Sequence, residues 1–428
     1  MREMKDSGIE WVGEIPKSWT ITILSALFSE RKCKNSGLTE NNLLSLSYGN
    51  IVRKNIESNE GLLPASFETY NIIEPGNIIF RLTDLQNDKR SLRTGLCQER
   101  GIITSAYVTL QIRSGDSPRY MHYLFHTYDL CKVFYGMGDG VRQGMNYEDL
   151  KRLRILRPDQ ETQRRIAAYL DRKCSQIDAI MARQKEVIEK LKAYKLSVIT
   201  EAVTKGLNPN VPMKDSGIDF IGSIPETWRI CRLRNIGTLQ NGISKGGEFF
   251  GHGFPFVSYG DVYRNFSLPV QVAGLIDSSD EERRNYSVES GDIFFTRTSE
   301  TIEEVGFSSV CEETIPDATF AGFLIRVRPF TDDLISRFAK YYFRSNHHRY
   351  YLVKQMNLVT RASLGQDLLK SMPVLVPPKE EQTSIAAYLD KKCGAIESSI
   401  EYKQRVIERL TAYKKSLIYE VVTGKKEV

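Results

Sequence analysis

Two arginines in polar, turn-rich loops are the first candidates for chemistry in this sequence. Arg142 lies in the run VRQGMN with Gln143 beside it, and Arg361 lies in the run TRASLG. The two arginines are 219 residues apart, and their neighbours differ. An arginine that is kept while its neighbours change suits contact with phosphates, because phosphates are the same along any nucleic acid. An ion pair with a carboxylate of its own domain is an equally good alternative.

A second group of polar residues offers side chains that read base edges. Arg, Lys, Asn and Gln form paired hydrogen bonds with bases, and Ser and Thr form single ones. Most residues of these types are ordinary surface groups, so each is a weak candidate by itself. The candidates in the first half of the chain are Arg81, Lys89, Arg90 and Arg93, and those in the second half are Lys245, Tyr259, Arg297, Thr298 and Ser299.

Recognisable catalytic motifs are missing from the sequence. It contains no P-loop, no His-Glu-x-x-His zinc helix and no Gly-x-Ser-x-Gly elbow. His122 and His126 are four residues apart and could bind a metal ion from one helix face. An offset of 219 pairs them with Tyr341 and Ser345, which favours core or solvated histidines instead. We therefore expect no catalytic residues, no cofactor and no metal.

The composition indicates a protein with two ordinary hydrophobic cores. The chain has 428 residues, of which 41% are hydrophobic and 26% charged, enough for two domains. Its 59 Lys and Arg against 53 Asp and Glu leave a net charge of +6, so a nucleic-acid surface must be local. Seven scattered cysteines without a Cys-x-x-Cys pair, and no apolar run of about 18 residues, predict a cytoplasmic protein that does not enter membranes.

The chain contains an internal repeat of roughly 210 residues. Its opening segment, MKDSGIEWVGEIPKSW, matches MKDSGIDFIGSIPETW at ten of sixteen positions. Including this one, three pairs of similar segments occur in the same order in both halves of the chain. They are Met4–Trp19 with Met213–Trp228 at an offset of 209, Gly76–Phe80 with Gly291–Phe295 at 215, and Ala167–Cys174 with Ala386–Cys393 at 219. Such a period is too long for a solenoid and predicts two similar folded units.

Each unit begins with a part that alternates strand and helix signals. Short β-branched and aromatic runs lie between Gly, Pro, Asn and Asp clusters, which is typical of strands. The predicted strands are Asn77–Leu82, Tyr107–Ile112, Asp292–Thr296 and Phe323–Val327, and the helical patches are Arg119–Tyr128 and Leu334–Phe343. This pattern indicates an α+β fold.

Each unit then continues into one long helix. After Pro158 and after Pro378 the chain runs for about 40 residues without proline. Within each run, residues taken at alternate steps of four and three along the chain are mostly apolar. The two series are Leu170, Cys174, Ile177, Met181, Gln184, Ile188, Leu191, Lys195, Val198 and Ala202, and Leu389, Cys393, Ile396, Ile400, Lys403, Ile407, Leu410, Lys414, Leu417 and Val421. A series of this kind predicts a coiled coil.

The connection between the units predicts how the helices pair. Only about eight residues, 206–213, separate the first helix from the second unit, and they reach at most about 28 Å. The second helix must then run back, antiparallel to the first, with the globules at opposite ends of a rod of about 60 Å. We predict a first globular domain at 1–158, a first long helix at 159–205, a linker and second globular domain at 206–378, and a second long helix with a C-terminal tail at 379–428. A pseudo-two-fold object of this kind suits DNA with two separated half-sites.

The sequence resembles the specificity subunit of type I restriction-modification systems. The resemblance depends on the Asp-Ser-Gly-Ile openings and on the motif Pro-x-x-x-x-Gln-x-x-Ile-Ala-x-Tyr-Leu-Asp before each long helix. The matching segments are Asp6–Trp19, Asp215–Trp228, Pro158–Asp171 and Pro377–Asp390, which frame both halves of the chain. One departure is Phe220, which stands where the first copy has Trp11.

The resemblance implies a subunit that reads DNA without catalysing a reaction. Each globular target recognition domain would read one half of an asymmetric bipartite site in double-stranded DNA, and the antiparallel helices would set the spacer. Two modification (methyltransferase) subunits and ATP-dependent restriction subunits would be its partners. Two alternatives stay open: a self-contained modification or restriction enzyme with an unrecognised catalytic centre, and a coiled-coil scaffold that binds proteins only.

Overall fold

The computed structural model describes residues 2–54, 64, 66–83, 85, 92–137, 144–299, 305–355 and 362–428. It divides into two compact units. The first unit comprises residues 1–184 and 404–428, and the second comprises residues 185–403. Each long helix therefore contributes one part to each unit.

The first unit is built of short strands around one longer helix. Its strands are Met4–Asp6, Glu14–Pro16, Thr20–Ile23, Phe28–Glu30, Leu44–Ser47, Asn50–Arg53, Asn71–Ile73, Ile78–Phe80, Thr94–Leu96, Gly101–Ile103, Val108–Ile112 and Arg154–Arg157. Its shorter helices are Leu24–Leu27, Pro118–Leu130 and Tyr147–Leu150, with a 3-10 turn at Val133–Gly136.

A four-stranded antiparallel sheet forms the centre of this unit. Its strand order is 28–30, 108–112, 78–80 and 94–96, so that the last strand lies at an edge. The helix Pro118–Leu130 begins with Ser117 as N-cap and proline at its first position, two strong start signals. It buries Tyr120, Leu124 and Phe125 in the same core cluster as Phe80 of the sheet. These apolar residues make the helix and sheet one core.

The second unit has more small elements around a sheet of the same order. Its strands are Met213–Asp215, Ser223–Pro225, Arg229–Arg232, Gly237–Asn241, Phe250–Val257, Leu275–Ile276, Ile293–Thr296, Thr298–Ser299, Ser308–Val310, Thr319–Phe320, Leu324–Pro329, Ala362–Ser363 and Pro373–Val376. Its shorter helices are Tyr259–Arg264, Asp280–Asn285, Ser336–Tyr342, Asn346–Gln355 and Gln366–Ser371, with 3-10 turns at Leu233–Asn235 and Gly247–Phe249. The central order is 237–241, 324–329, 293–296 and 308–310.

The long helices are Gln160–Lys205 and Lys379–Val422. Within the first unit, Lys414 Nζ lies 2.7 Å from Asp178 Oδ1, and Thr411 Oγ1 lies 3.5 Å from Met181 Sδ. Residue numbers fall on one helix as they rise on the other, so these two helix parts run in opposite directions. Within the second unit, Lys195 forms an ion pair with Glu397.

Most elements lie where the sequence predicted them. The long helices begin two residues after Pro158 and directly after Pro378, and all twenty positions of the two predicted apolar series are buried or half-buried. The predicted strand Phe323–Val327 is observed at Leu324–Pro329, and the predicted helix Leu334–Phe343 at Ser336–Tyr342.

The duplicated opening segment forms the same small structure in both units. Met4–Asp6 pairs antiparallel with Glu14–Pro16, and Met213–Asp215 pairs with Ser223–Pro225 in the same register. Each hairpin carries an Asp-Ser-Gly turn, in which the glycine amide donates to the aspartate Oδ1 at 2.8 or 3.0 Å. That glycine has a positive φ, which accounts for its identity. The segment thus forms scaffold.

Candidate nucleic-acid interface

Five of the twelve predicted contact residues lie outside the residues that the structure describes: Arg142, Gln143, Arg361, Lys89 and Arg90. Their predicted contacts with phosphates and bases stay predictions. The described residues on either side of them nevertheless show which parts of the fold carry these loops.

In the second unit, two of the predicted contact segments lie side by side. Arg297 and Thr298 directly follow the buried strand Ile293–Thr296. Thr298–Ser299 pairs antiparallel with Ala362–Ser363, the two residues that follow position 361. The carbonyl of Arg297 accepts a hydrogen bond from the Leu364 amide at 2.7 Å. The residues directly after position 361 are therefore fixed beside Arg297 and Thr298.

The first unit makes the corresponding connection. Arg81 follows the buried strand Ile78–Phe80 just as Arg297 follows its own strand. The amide of Met145, two residues after Gln143, donates to the carbonyl of Leu82 at 2.9 Å. In both units, therefore, a described residue shortly after the duplicated arginine in sequence bonds to the segment that directly follows a core strand. The side chains of Arg81, Arg297 and Thr298 are half-buried.

Arg93 does not fit the predicted role at the DNA surface. Its exposed fraction is 0%, and its guanidinium donates to the carbonyl of Thr83 at 2.8 Å. The same guanidinium lies 5.8 Å from the centre of the Tyr135 ring, and the Arg93 amide donates to Asp129 Oδ2 at 2.5 Å. Removing a charged group from such a setting leaves buried polar atoms without partners. The prediction of a base contact for Arg93 is wrong, and the residue is part of the core.

Lys245 and Tyr259 are engaged within the second unit. Lys245 Nζ lies 2.7 Å from Glu282 Oε2 and donates to the carbonyl of Asp277 at 2.8 Å. The hydrogen bond from Lys245 also holds the pKa of Glu282 below its usual value. Tyr259 begins the helix Tyr259–Arg264, where its ring stacks on Tyr263 with centroids 6.0 Å apart. A base contact by Lys245 would therefore compete with an existing ion pair.

Sequence reasoning missed the residues that attach each globule to its long helix. Gln163 is fully buried, and its Oε1 accepts from the Ser117 amide at 2.8 Å while its Nε2 donates to the carbonyl of Pro158 at 3.0 Å. The same Nε2 donates to Asp116 Oδ1 at 2.5 Å. Burial alone would raise the pKa of Asp116, but hydrogen bonds from Ser114, Gln163 and Arg157 outweigh it and lower the pKa.

The second unit repeats this attachment with Gln382. This side chain is also fully buried, accepts from the Ile335 amide at 2.9 Å, and donates to the carbonyls of Asp333 at 2.7 Å and Pro377 at 2.9 Å. The signal was present in the sequence, because Gln163 and Gln382 are the glutamines of the duplicated Pro-x-x-x-x-Gln motif. A buried amide that satisfies three backbone or side-chain groups explains why the motif needs this residue.

A second attachment lies two turns further along each helix. Tyr123 donates to Asp171 Oδ1 at 2.9 Å, and Tyr341 donates to Asp390 Oδ1 at 2.8 Å. Each aspartate also pairs with an arginine, Arg119 or Arg337. Burial would raise the pKa of Asp390, yet hydrogen bonds from Tyr341, Arg337 and Lys340 outweigh it and hold the pKa below its ordinary value.

The equivalent tyrosine–aspartate bonds correct the alignment of His122 and His126 with residues of the second unit. Tyr123 and Tyr341 are 218 residues apart, so the counterparts of His122 and His126 are Lys340 and Arg344 rather than Tyr341 and Ser345. Burial lowers the pKa of His122 and of His126 to about 4, which leaves both imidazoles neutral at pH 7.

The chemistry available at these surfaces is hydrogen bonding and charge. Among the residues described by the structure, no group of three or more His, Cys, Asp or Glu side chains is placed to hold a metal ion. In the same part of the chain, no helix combines the length and apolar character needed to cross a bilayer.

Comparison with known proteins gives the class of these units. The protein family described as the type I restriction modification DNA specificity domain matches residues 225–409. That range covers the central sheet of the second unit and most of the second long helix.

Curated relatives agree with this class. The chain is 25% identical over 328 residues to the putative type I restriction enzyme MjaX specificity subunit of Methanocaldococcus jannaschii, covering 73% of this chain and 68% of that protein. It is 23% identical to the MjaVIII specificity subunit of the same organism, covering 77% and 75%. It is also 23% identical to the EcoKI specificity subunit of Escherichia coli K12, covering 62% of this chain and 56% of that protein.

Solved structures share the fold at low sequence identity. A chain from a structural study of complex assembly and conformational transition of the type I R-M system superposes with a TM-score of 0.72 at 16% identity, covering 96% of this chain and 99% of that one. The HsdS subunit from Thermoanaerobacter tengcongensis gives a TM-score of 0.52 at 16% identity, covering 96% and 98%. The resemblance found in the sequence is confirmed: the family match over residues 225–409 and the curated relatives are all specificity domains or subunits of type I restriction-modification systems, and the solved structures share the fold.

Proposed function

We propose that this chain is the non-catalytic subunit that gives a type I restriction-modification complex its DNA sequence specificity. Each unit would read one half of an asymmetric bipartite site in double-stranded DNA. The observation that carries this proposal is the presence, in a chain similar to type I specificity subunits, of two units with the same central sheet order. Two copies of one scaffold with different loops are what two different half-sites require.

The contact surface in each unit is the loop pair at the end of the core strands. Arg142 and Arg361 would bind phosphates; in support of this, residues that follow them in sequence, Met145 and 362–364, bond to the segments after the core strands. Gln143, Arg81, Lys89 and Arg90 would contribute to one half-site. The other half-site would be read by Arg297, Thr298 and Ser299, with Lys245 and Tyr259 at its margin. Arginine, lysine and glutamine in the major groove supply most of such discrimination.

The long helices would form an antiparallel coiled coil that fixes the distance between the half-sites. In support of this, Lys414 pairs with Asp178 and Thr411 with Met181 inside the first unit, an order that antiparallel helices produce. The chain would divide into recognition domains at 1–158 and 206–378 and spacer helices at 159–205 and 379–428, as a pseudo-two-fold repeat. A rigid spacer converts two short half-sites into one long site of fixed spacing.

The partners would be double-stranded DNA, two modification subunits and ATP-dependent restriction subunits, in the cytoplasm. The chain itself would need no cofactor, because the modification subunits supply the methyl-transfer chemistry in such a complex.

Mapping of methylated adenines tests this function. Cells that carry this chain with its modification subunits are compared with cells that carry the modification subunits alone, by single-molecule sequencing of their genomic DNA. We expect one asymmetric motif of two short halves at constant spacing, present only with this chain. A continuous motif, or methylation that does not depend on this chain, contradicts the proposal.

A further inference from the structure

The edge strand Thr94–Leu96 of the first unit's central sheet turns the backbone groups of Leu96 outward. The Arg81 amide donates to the Arg93 carbonyl, and the Cys97 amide donates to the Asn77 carbonyl. In an antiparallel pair these bonds alternate along the strand, so the amides and carbonyls of Thr94 and Leu96 point away from the sheet. Within the part of the chain that the structure describes, no backbone group pairs with this outward side of Leu96.

The second unit closes the equivalent edge with its own chain. The strand Ser308–Val310 occupies the same edge position in a sheet of the same order. The Val310 amide donates to the Phe266 carbonyl at 3.0 Å, and the Leu268 amide donates to the Val310 carbonyl at 2.9 Å. Ser267 thereby forms a parallel bridge with Val310. The segment 266–268 acts as a short extra strand.

Side chains hold this extra strand in place. The Phe266 ring lies 5.8 Å from the Tyr341 ring, and Lys195 Nζ lies 4.6 Å from the centre of the Phe266 ring. The buried Arg344 guanidinium donates to the carbonyl of Asn265 at 2.8 Å and to that of Ser308 at 2.6 Å. The second unit therefore fills the space beside its edge strand with an aromatic ring and an arginine.

Among the described residues of the first unit, none fills the corresponding space. A cavity of about 1370 Å³ is lined by Leu96, His122, His126, Tyr123 and Lys414, among others. Tyr123 corresponds to Tyr341 through its bond to the helix aspartate, and Lys414 corresponds to Lys195 through its helix ion pair. His126 stands where the second unit has Arg344. The buried Nε2 of His122 has no hydrogen-bond partner among the described residues.

We propose that this edge of the first unit binds an extended segment of a partner polypeptide as an added parallel strand. The segment would pair with the outward amide and carbonyl of Leu96 and place an aromatic side chain in the cavity between Tyr123 and Lys414. Strand addition at an open sheet edge takes its affinity from backbone hydrogen bonds and its selectivity from alternate side chains. The second unit supplies the template, an aromatic residue followed two positions later by leucine.

A peptide that copies the template tests the site. Fluorescent YRNFSLP, the sequence of residues 263–269, is titrated into the full-length chain and followed by fluorescence polarisation. We expect saturable binding. N-methylation of the leucine amide removes the donor that would face the Leu96 carbonyl and should weaken binding roughly tenfold. N-methylation of the serine amide, which faces away from the edge, is the matched control and should leave binding nearly unchanged.

Two protein variants locate the binding in the first unit. Leu96→Pro removes the outward amide, and an edge strand accepts proline at such a position. Leu96→Ala shortens the side chain but keeps the amide. We expect Leu96→Pro to bind roughly tenfold more weakly than Leu96→Ala. Absence of saturable binding, equal effects of the two N-methyl peptides, or equal binding by the two variants would overturn the proposal. Binding that is unchanged by Leu96→Pro would lie elsewhere and would also overturn the proposal.

Discussion

The two units attach their globules to the long helices in the same way but differ beside that attachment. Gln163 and Gln382 are both buried and both join the start of a long helix to backbone groups of the globule. Beside this attachment, His126 of the first unit lines a cavity, whereas its counterpart in the second unit, Arg344, is buried.

This difference shows which positions of a duplicated fold are constrained. Gln163 and Gln382 satisfy buried polar groups that both units share, so neither glutamine can change without a large cost. Arg344 instead satisfies carbonyls of the second unit, whereas its counterpart His126 lines a cavity, so this position differs between the units. The same division applies to the loops after the core strands, where different residues would let the two units read different bases.

Arg344 is expected to contribute most to the stability of the second unit. Its exposed fraction is 9%, it donates to four carbonyls, and burial lowers its pKa to about 10. Arg344→Ala leaves those carbonyls without donors and should lower the free energy of unfolding of this unit by about 3 kcal/mol. Hydrogen exchange of peptides from residues 260–310 measures the loss. Arg264→Ala, at an exposed position, is the control, and an equal effect of both substitutions would contradict this role.

The two buried glutamines are expected to act alike. Gln163→Ala and Gln382→Ala each remove a side chain that bonds to three groups, and each should cost about 2 kcal/mol in its own unit. Exchange protection at the start of each long helix reports the change. Gln160→Ala, on the exposed first residue of the helix, should change protection little. An effect in one unit only would show that the two attachments are not equivalent.

Asp390 is expected to make the second unit sensitive to acid. Because the folded pKa of Asp390 is depressed, its contribution is present above the unfolded pKa of about 3.9 and is lost as the pH falls through the lower folded pKa. The carboxylate is partly exposed, so screening limits the contribution to about 1 kcal/mol. Asp390→Asn should therefore lower stability at pH 6 and have little effect near pH 2, measured by urea unfolding. A constant loss across this range would assign the effect to packing instead.

The smallest expected difference concerns the helix lysines. Lys414 pairs with Asp178 at a partly exposed position, and its removal should cost about 0.5 kcal/mol. Lys195 pairs with Glu397 and also lies over the Phe266 ring, which should add roughly 0.5 kcal/mol. Thermal unfolding of Lys414→Ala and Lys195→Ala at low and high salt measures both. A loss for Lys414→Ala that equals or exceeds that for Lys195→Ala would contradict the comparison.

The sequence predicted the helices and core strands because the residues that signal each of them lie within one short segment of the chain. The proline-free runs after Pro158 and Pro378 gave both long helices, and β-branched runs gave strands such as Ile293–Thr296. Partners distant in sequence were not predictable. Arg93 appeared to be a surface cation until the fold placed Thr83 and Asp129 around it.

The register of the two copies also required the fold. A single offset of 219 aligns the long helices, but the bond from Tyr123 to Asp171 shows that the helix before them is shifted by one residue. Only with that shift is Arg344 recognised as the counterpart of His126, which lines the cavity of the first unit. The duplicated glutamine motif was visible in the sequence, whereas its role needed the buried groups that it joins.

Exchange of one recognition domain tests the central claim most directly. Residues 20–150 are replaced by the corresponding domain of another specificity subunit, and the complex with its modification subunits is used to select DNA from a random library. We predict that one half of the selected motif changes while the other half and the spacing are retained. A motif that stays unchanged, or one in which both halves change together, would contradict the claim that each unit reads its own half-site.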